Sequence, residues 1–529
     1  MVHKHADPEF SAGTKKLGIL VVLPTRELAV QCYSIACELA KSHDLGVNYL
    51  IGGEDYSKQN HSLATKRHDI IICTPGRLLY ALEKNFLLRI SLPFTKTLIL
   101  DEFDFMLRPE FKSDILQIVG MLPKNRQNIL VSATTSPQIL KESSEIFGPG
   151  NNYLTVSSYE DEKPKTNISV KHSYIPISWS LHFPALFVII NRFLQNSSRV
   201  TANVQHGSKI LIFLPTVAAA EVYGSFLSGL FSDYSTSDKT KNPEHGITDN
   251  KSDILNDSGL VSHSGSDGLD IGIPVCILHG KLNQQARDEV SSKFRDFDSS
   301  NNKSIIMVTT DVSARGMDYP DVNLVIQIGI PNDASQYLHR IGRTARAGKS
   351  GECITLTSSF ESRFLAEASA YIGESNKIRL NSSYNSEFGI TLSRALKHGY
   401  RNAELEVFNS RKNSASQSAD ISQNDLSKSK IIQDIDANPI KLNSLADNGK
   451  PTWSELAQYM TDFAYKFENA KTKVKISDIK SMYTSLLTHY SPLSNKYSYD
   501  PSKAQSDLES MMKRIGIYNV PENNTRFKN

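Results

Sequence analysis

The chain has 529 residues, of which 39% are hydrophobic and 22% are charged, and its formal net charge is only +3. This length is too great for one core and indicates two or three domains, while the absence of any apolar run of about 18 residues excludes a predicted transmembrane helix. The small net charge means that a nucleic-acid partner has to be argued from local features of the sequence.

Short apolar runs recur along the chain, and most are followed by a segment with helical periodicity. In chain order they are LGILVVLP, HDIIICTP, TLILDEFD, NILVSAT, KILIFLPT, PVCILHG, SIIMVTTD, LVIQIGIP and ECITLT. Runs that are apolar at every position are typical of strands buried on both faces of a parallel sheet. The pattern occurs twice, with a join near residues 157–167, and predicts two tandem α/β domains.

The first of these helices is predicted to be capped by Thr25. Its predicted apolar face consists of Leu28, Cys32, Ile35 and Leu39.

Composition sets the predicted domain boundaries. Residues 232–272 and 409–451 are rich in Ser, Asp and Asn and poor in large apolar residues, so we expect a disordered insertion and a linker, respectively. The remaining segments are a first α/β domain (1–158), a second α/β domain (165–371), a helical extension (372–408) and a helical C-terminal extension (452–529).

Polar side chains gather where the predicted strands end. These endings are residues 24–28 (PTREL), 74–77 (TPGR), 101–104 (DEFD), 132–134 (SAT), 279–280 (HG) and 309–318 (TTDVSARGMD), followed later by 339–346 (HRIGRTAR). Ligands of open α/β sheets bind at the carboxyl ends of the strands. The sequence therefore predicts two domains that hold ligands between them.

Taken in order, these elements resemble the motifs of the DEAD-box RNA helicases of superfamily 2. The pair Gly52-Gly53, the element Gln284-x-x-Arg287 and the element Ala314-Arg-Gly-x-Asp318 match as well, and the resemblance covers roughly residues 17–370. It implies two RecA-like domains, the first incomplete, with a helical extension. It also implies hydrolysis of ATP with Mg²⁺, closure of the two domains on single-stranded RNA, and local duplex unwinding.

The resemblance assigns the reaction to two acids and two arginines. Asp101 would hold Mg²⁺ through water, Glu102 would orient and deprotonate the attacking water, and Arg343 and Arg346 would reach the γ-phosphate. Asp318 would contact the ATP ribose. The alternative for the two acids is a solvated acidic turn, and the alternative for the two arginines is a basic, solvated helix face. The family usually has Ala where this chain has Phe103, which we expect to alter packing more than carboxylate chemistry.

Other residues are assigned to interdomain coupling and to RNA. The coupling residues are Asp104, Ser132, Thr134 and His339. The RNA-binding residues are Thr25, Arg26, Gly52, Gly53, Thr74, Gly76 and Arg77 in the first domain, and Gly280, Gln284, Arg287, Thr310, Arg315 and Gly316 in the second. Contacts to the RNA backbone predict little sequence specificity. For any single glycine, ordinary turn geometry is the alternative.

A phosphate-binding loop of the form Gly-x4-Gly-Lys-Ser/Thr does not occur in the sequence. The nearest segment, Gly348-Lys349-Ser350, has Arg343 at the required first glycine. The adenine-reading Gln motif is absent too. Two interpretations follow: an N-terminally truncated helicase, or a pseudo-helicase that binds RNA without hydrolysing ATP. Truncation is favoured because losing the strand before the loop would leave unpaired strand edges.

The C-terminal segment carries a basic run, KTKVKISDIK (471–480), and resembles the extension of fungal mitochondrial DEAD-box RNA chaperones. An unrelated helical tail with a solvated charged face is the alternative. The five cysteines lack metal-ligand spacing and predict reduced thiols inside a cell. We expect a monomer without membrane contact, in the mitochondrial matrix, the nucleus or the cytoplasm.

Overall fold

The structure is a computed structural model. It describes residues 17–132, 137–147, 154, 156, 170–199, 207–231, 272–299, 303–311, 317, 319–346, 349–372, 378–381, 384, 387–415 and 451–519.

The first domain is a five-stranded parallel sheet in the order β2-β3-β1-β4-β5. Its strands are β1 (Ile19–Val22), β2 (Val47–Leu50), β3 (Ile70–Cys73), β4 (Thr97–Asp101) and β5 (Gln127–Val131). Its helices are α1 (Arg26–Ala40), α2 (Tyr56–Thr65), α3 (Pro75–Lys84), α4 (Phe86–Ser91), α5 (Phe103–Met106), α6 (Pro109–Met121) and α7 (Pro137–Phe147). Strand β1 lies at the centre, hydrogen-bonded to β3 and β4, so the segments that follow these strands lie at one edge.

The sheet is unevenly covered near β5. Every residue of β1 and β3 is buried, whereas β5 is exposed or half-buried along its whole length, and Val131 is 47% exposed. Within the described residues, β5 pairs only with β4. This domain therefore has an open sheet edge beside its acidic strand, β4.

Thr25 caps α1 as predicted, since its hydroxyl accepts a hydrogen bond from the Leu28 backbone N–H. The predicted apolar face is wrong in its second half, because Ile35 is 51% exposed and Leu39 is 57% exposed. The helix instead packs through Leu28 and Ala29, and the partly buried Cys32, Tyr33 and Ala36 continue that face.

The second domain is a seven-stranded parallel sheet in the order β12-β6-β11-β10-β7-β9-β8. Its strands are β6 (Val170–Pro176), β7 (Lys209–Phe213), β8 (Val275–Leu278), β9 (Ile305–Thr309), β10 (Val322–Ile328), β11 (Gly351–Thr357) and β12 (Arg379–Leu380). Its helices are α8 (His182–Arg199), α9 (Val217–Phe231), α10 (Gln284–Arg295), α11 (Ala334–Ile341) and α12 (Ser362–Ile372). The central strands β7 and β9 are buried at every position.

Four further helices follow: α13 (Phe388–Ala415), α14 (Trp453–Lys473), α15 (Ile476–Tyr497) and α16 (Pro501–Ile515). They share one hydrophobic core with the second domain, in which Phe467 stacks on Phe226 with ring centroids 5.1 Å apart. Helix α13 continues to Ala415, inside the predicted linker 409–451. The rest of that linker before Pro451, and residues 232–271 of the predicted insertion, lie outside the described residues. Among the helices described, none is both long and apolar enough to cross a membrane.

Candidate functional site between the two domains

The acidic end of β4 is a cluster of closely spaced carboxylates. Asp101 is the last residue of the strand, and its Oδ1 accepts a hydrogen bond from the Glu102 backbone N–H at 2.9 Å. Glu102 adopts a left-handed backbone conformation (φ 54°), which a non-glycine residue rarely adopts and which often marks functional turns. Burial raises the pKa of Asp101, and the neighbouring carboxylates Glu102 and Asp104 raise it further.

Phe103 points away from this cluster into the core. Its side chain is fully buried, with its ring centroid 6.4 Å from that of Phe147. The ring that replaces the family's Ala is thus accommodated in the packing behind the loop, and its effect on the carboxylate chemistry stays a prediction.

Asp104 forms the first contact between the domains. Its Oδ2 accepts a hydrogen bond from Ser335 Oγ at 3.0 Å and lies 3.4 Å from His339 Nε2, both on α11. The other ring nitrogen of His339 lies 3.7 Å from Glu102 Oε2. Beside them, Arg108 donates to Asp333 Oδ2 at 2.8 Å. The structure therefore brings the predicted coupling residues Asp104 and His339 together beside the predicted general base.

Two of the coupling predictions are not decided by this geometry. Ser132 directly follows β5, and its contact with Asp104 stays a prediction. Thr134 lies outside the described residues. One further property of the cluster is that Glu102, Asp104 and His339 offer potential metal-ligand atoms within 4.8 Å of one another.

A second contact between the domains is a buried ion pair of Glu27 and Arg287, whose side chains are 3% and 6% exposed. Glu27 lies in the first turn of α1 and Arg287 in the first turn of α10. Burial raises the pKa of Glu27 more than Arg287 lowers it. Burial also lowers the pKa of Arg287, an effect that Glu27 opposes. Both helices begin at the carboxyl-end edges of their sheets. This ion pair therefore joins the same two sheet edges as the contact of Asp104 with α11.

The two predicted arginine fingers follow α11 and point toward one backbone carbonyl. Arg343 and Arg346 both donate to Met317 O, the latter at 3.1 Å. Arg343 is buried, and Arg346 is half-buried. Asp318, the predicted ribose contact, lies outside the described residues.

Residues of the predicted RNA site in the first domain line an open groove of about 480 Å³. The lining side chains and backbone belong to Gly52, Glu54, Tyr56, Gly76, Arg77 and Tyr80. Arg77 Nη2 donates to Glu54 O at 3.0 Å, and its guanidinium lies 5.9 and 5.8 Å from the Tyr56 and Tyr80 ring centroids.

Arg26 lies directly against the glycine pair. A Cβ on Gly52 would lie 3.2 Å from Arg26 Nη2, and one on Gly53 would lie 2.8 Å from Arg26 Cζ. Gly53 also has φ +82°, a backbone conformation that favours glycine, and a Cβ there would displace the Arg26 guanidinium. Thr25 and Thr74 precede α1 and α3 as their N-caps. The sequence-predicted residues of this domain thus lie at one sheet edge.

In the second domain, the predicted RNA residues fall into two groups. Gly280 is exposed after β8, and Thr310 is half-buried directly after the adjacent strand β9. Gln284 is instead buried and donates to Asp288 Oδ1 at 3.0 Å, while Arg287 pairs with Glu27. Their roles as RNA contacts stay predictions. Arg315 and Gly316 lie outside the described residues.

Several residues of this site were missed from the sequence. Glu27, Arg108, Asp333 and Ser335 contact the other domain, and their partners lie hundreds of positions away. The available signal was Asp333, a helix N-cap residue whose Oδ1 accepts from Gln336 N at 2.8 Å. It could have predicted the start of α11, but not the partner of that helix.

Two parallel sheets whose strand ends meet across such contacts define a two-domain helicase core of the RecA-like class. Residues 5–142 match the DEAD/DEAH box helicase family, and residues 261–348 match the helicase conserved C-terminal domain. The chain belongs to the DEAD-box RNA helicase family.

Its curated relatives include two plant proteins. It is 31% identical over 351 residues to "DEAD-box ATP-dependent RNA helicase 25" of Oryza sativa subsp. japonica, and the alignment covers 66% of this chain and 50% of that protein. It is 32% identical over 349 residues to the protein of the same name from Arabidopsis thaliana, with coverage of 66% and 52%. The chain thus spans about half the length of the curated relatives it matches.

Solved structures share the fold. Mss116p (NTE and C-tail double deletion) bound to ssRNA and AMP-PNP matches with a TM-score of 0.65 at 19% identity, over 99% of this chain and 80% of that one. S. cerevisiae Dbp5 bound to RNA and ADP BeF3 matches with a TM-score of 0.50 at 22% identity, over 72% and 80%. The first alignment is long enough to include the C-terminal helices.

Proposed function

We propose that the protein is an ATP-dependent RNA helicase that couples hydrolysis of Mg-ATP to closure of two domains on single-stranded RNA and to local duplex unwinding. The observation that carries this proposal is the contact of Asp104 with Ser335 and His339. It joins the acidic end of β4 to the helix that precedes the two predicted arginine fingers. A change in the nucleotide bound at the acidic end of β4 would therefore alter how the RNA-binding edges of the two sheets are positioned relative to each other.

RNA would lie along the strand-end edges of both sheets. Arg26 beside Gly52-Gly53 supports this, since small residues allow close approach of a phosphate backbone and a guanidinium supplies charge-assisted contacts. Arg77 extends the same groove. Because these groups address backbone rather than base edges, we expect binding with little sequence preference.

The carboxylates at β4 fit a hard divalent cation, because the raised pKa of Asp101 reflects burial among like charges that a cation would offset. Asp101 would hold Mg²⁺ through water, and the ion would neutralise charge on the phosphates of ATP. Glu102 would orient the attacking water and accept its proton. Arg343 and Arg346 would have to leave the Met317 carbonyl to stabilise the negative charge that develops on the transferred phosphoryl group.

The second candidate is a pseudo-helicase that binds RNA without ATPase activity. It is favoured by one observation, the absence of a Gly-x4-Gly-Lys-Ser/Thr loop from the 529 residues. Such a loop supplies the backbone N–H groups that surround the phosphates. We therefore expect this chain by itself to bind ATP weakly, whichever function the protein has.

Two measurements separate the candidates. RNA binding is measured by fluorescence anisotropy with the 529-residue chain and a labelled single-stranded RNA, with single-stranded DNA of the same sequence as the control. ATP hydrolysis is measured with the native protein isolated from its own cells through a tag. RNA-stimulated hydrolysis supports the helicase, and RNA binding without hydrolysis supports the pseudo-helicase. The fungal mitochondrial type stays a prediction, which microscopy of the tagged protein beside a mitochondrial marker tests.

A further inference from the structure

Helix α15 of the C-terminal region contacts the segment that connects β10 to α11, called here the β10–α11 loop (residues 329–333). His489 Nε2 lies 3.0 Å from Ile330 O. Farther along the same helix, Lys496 Nζ donates to Asn332 O at 2.8 Å, and Tyr497 OH donates to the same carbonyl at 3.3 Å. Three side chains of one helix thus contact two backbone carbonyls of the loop, those of Ile330 and Asn332.

A buried carboxyl group ties the start of the loop to the same helix. Glu361 Oε1 accepts a hydrogen bond from Tyr490 OH and another, at 3.2 Å, from the Ile330 backbone N–H. Gly329 has φ +70°, and a Cβ there would collide with the Tyr490 hydroxyl. The loop therefore follows a path that Tyr490 restricts and that glycine alone can take.

The other end of the loop faces the first domain. Asp333 caps α11 and accepts a hydrogen bond from Arg108. Ser335, in the first turn of the same helix, donates to Asp104 of the first domain. Asn332, whose carbonyl is held by α15, directly precedes Asp333, and its own N–H donates to Gln336 Oε1 at 2.9 Å. Contacts from α15 are thus one peptide unit away from contacts to the first domain.

We propose that α15 is a positioning element of the interdomain contact. By holding the carbonyls of the β10–α11 loop, it fixes the start of α11 where Asp333 and Ser335 meet Arg108 and Asp104. The C-terminal helices then govern domain closure in addition to covering the second domain. This inference rests on the proposed function only in taking domain closure as the functional step.

The test removes the two donors to Asn332 O and keeps the buried aromatic ring at position 497 in the core. The variant Lys496→Met/Tyr497→Phe loses both side-chain donors to Asn332 O. Lys496 is exposed, and phenylalanine keeps the ring that packs against Phe364, so the packing of the core is retained. Closure is measured by energy transfer between dyes on the exposed Lys84 of the first domain and Lys293 of the second, with and without single-stranded RNA. We expect the closed population to fall several-fold while the melting temperature stays within about 2 °C.

Two controls separate positioning from general stability. Lys480→Met, near the opposite end of the same helix, should leave closure unchanged. Lys496→Arg keeps a donor at position 496, so this variant should close as the wild type does. In an Arg108→Met background, the Lys496→Met/Tyr497→Phe change should have little further effect, because the pair that it positions is already gone.

The proposal is overturned if closure is unaffected, if the loss of closure is fully explained by a lower melting temperature, or if the loss is as large in the Arg108→Met background.

A second variant pair addresses the buried contact of His489 with Ile330 O. His489→Leu should reduce closure, and His489→Gln, which keeps a donor for Ile330 O, should reduce it less. Failure of the wild-type chain to bind RNA would refute the proposed function, while the RNA-free energy-transfer comparison would still decide this inference.

Discussion

Replacing Arg287 with methionine removes the buried cation that faces Glu27 across the two domains. The side chains are 6% and 3% exposed, so solvent cannot replace the lost partner while the domains stay closed. Methionine keeps much of the side-chain volume, so the main change is electrostatic. We expect the closed arrangement to be strongly disfavoured, with each domain still folded.

The magnitude follows from the fate of the remaining carboxyl group. Removing one partner of a buried pair typically costs about 3–5 kcal/mol. Glu27 can limit this cost by taking up a proton, which from an ordinary pKa of 4.5 costs at most about 3.4 kcal/mol at pH 7. Burial already raises this pKa, so the cost is smaller still. We therefore expect about 2–3 kcal/mol, or roughly a 30- to 150-fold loss of closure.

The assay is the same interdomain energy transfer, recorded between pH 5 and 8. A carboxyl group whose pKa is raised in the closed state favours closure when protonated, so closure by the Arg287→Met variant should recover as the pH falls through that raised pKa toward the ordinary value of 4.5. The double variant Glu27→Gln/Arg287→Met removes both charges and should close more readily than Arg287→Met alone at pH 7. Equal closure by wild type and Arg287→Met, or a variant whose closure does not respond to pH, would refute the reasoning.

Three further results are expected. Phe103→Ala should lower the free energy of unfolding of the first domain by about 3–5 kcal/mol in urea titrations, since the ring is fully buried; a loss below about 1 kcal/mol would contradict this packing. Gly53→Ala should weaken RNA binding in anisotropy titrations because the added Cβ meets Arg26 and φ is +82°, whereas Gly120→Ala, where a Cβ meets nothing within 4 Å, should not. Burial raises the pKa of Glu361 to about 7, so the stability of the second domain should fall by about 3 kcal/mol as pH rises from 4.5 to 7, and Glu361→Gln should abolish that part of the pH dependence in thermal unfolding.

Much of the strand framework could be predicted from apolar runs, and all nine predicted runs form strands. The runs succeeded because parallel strands buried on both faces carry apolar residues at successive positions. Strands β2, β6 and β12 were missed because they lack such a run. They lie toward the sheet edges and carry polar residues or are very short. The exposure of Ile35 and Leu39 shows that an apolar helix stripe does not identify which face is buried.

The site could be predicted at the level of sheet edges but not at the level of partners. Asp101 and Glu102 were singled out because acids directly follow a buried strand, whereas Asp104 and the roles of all three acids came from the resemblance to the DEAD-box family. The partners Ser335 and Asp333 could not be identified, because the pairing of α5 with α11 depends on how two domains pack and not on local periodicity. The contacts of α15 with the β10–α11 loop could not be predicted either. Their acceptors are backbone carbonyls, which every residue has and which carry no sequence signal.

The central claim is tested most directly by the ATPase activity of the native protein with and without single-stranded RNA, for the wild type and for Glu102→Gln. The account predicts that RNA accelerates hydrolysis by the wild type and that Glu102→Gln binds RNA with unchanged affinity but hydrolyses ATP at least 100-fold more slowly, in line with loss of a general base (roughly 10²–10⁴-fold). Wild-type protein that binds RNA yet hydrolyses ATP no faster than Glu102→Gln would contradict the claim and identify an RNA-binding pseudo-helicase.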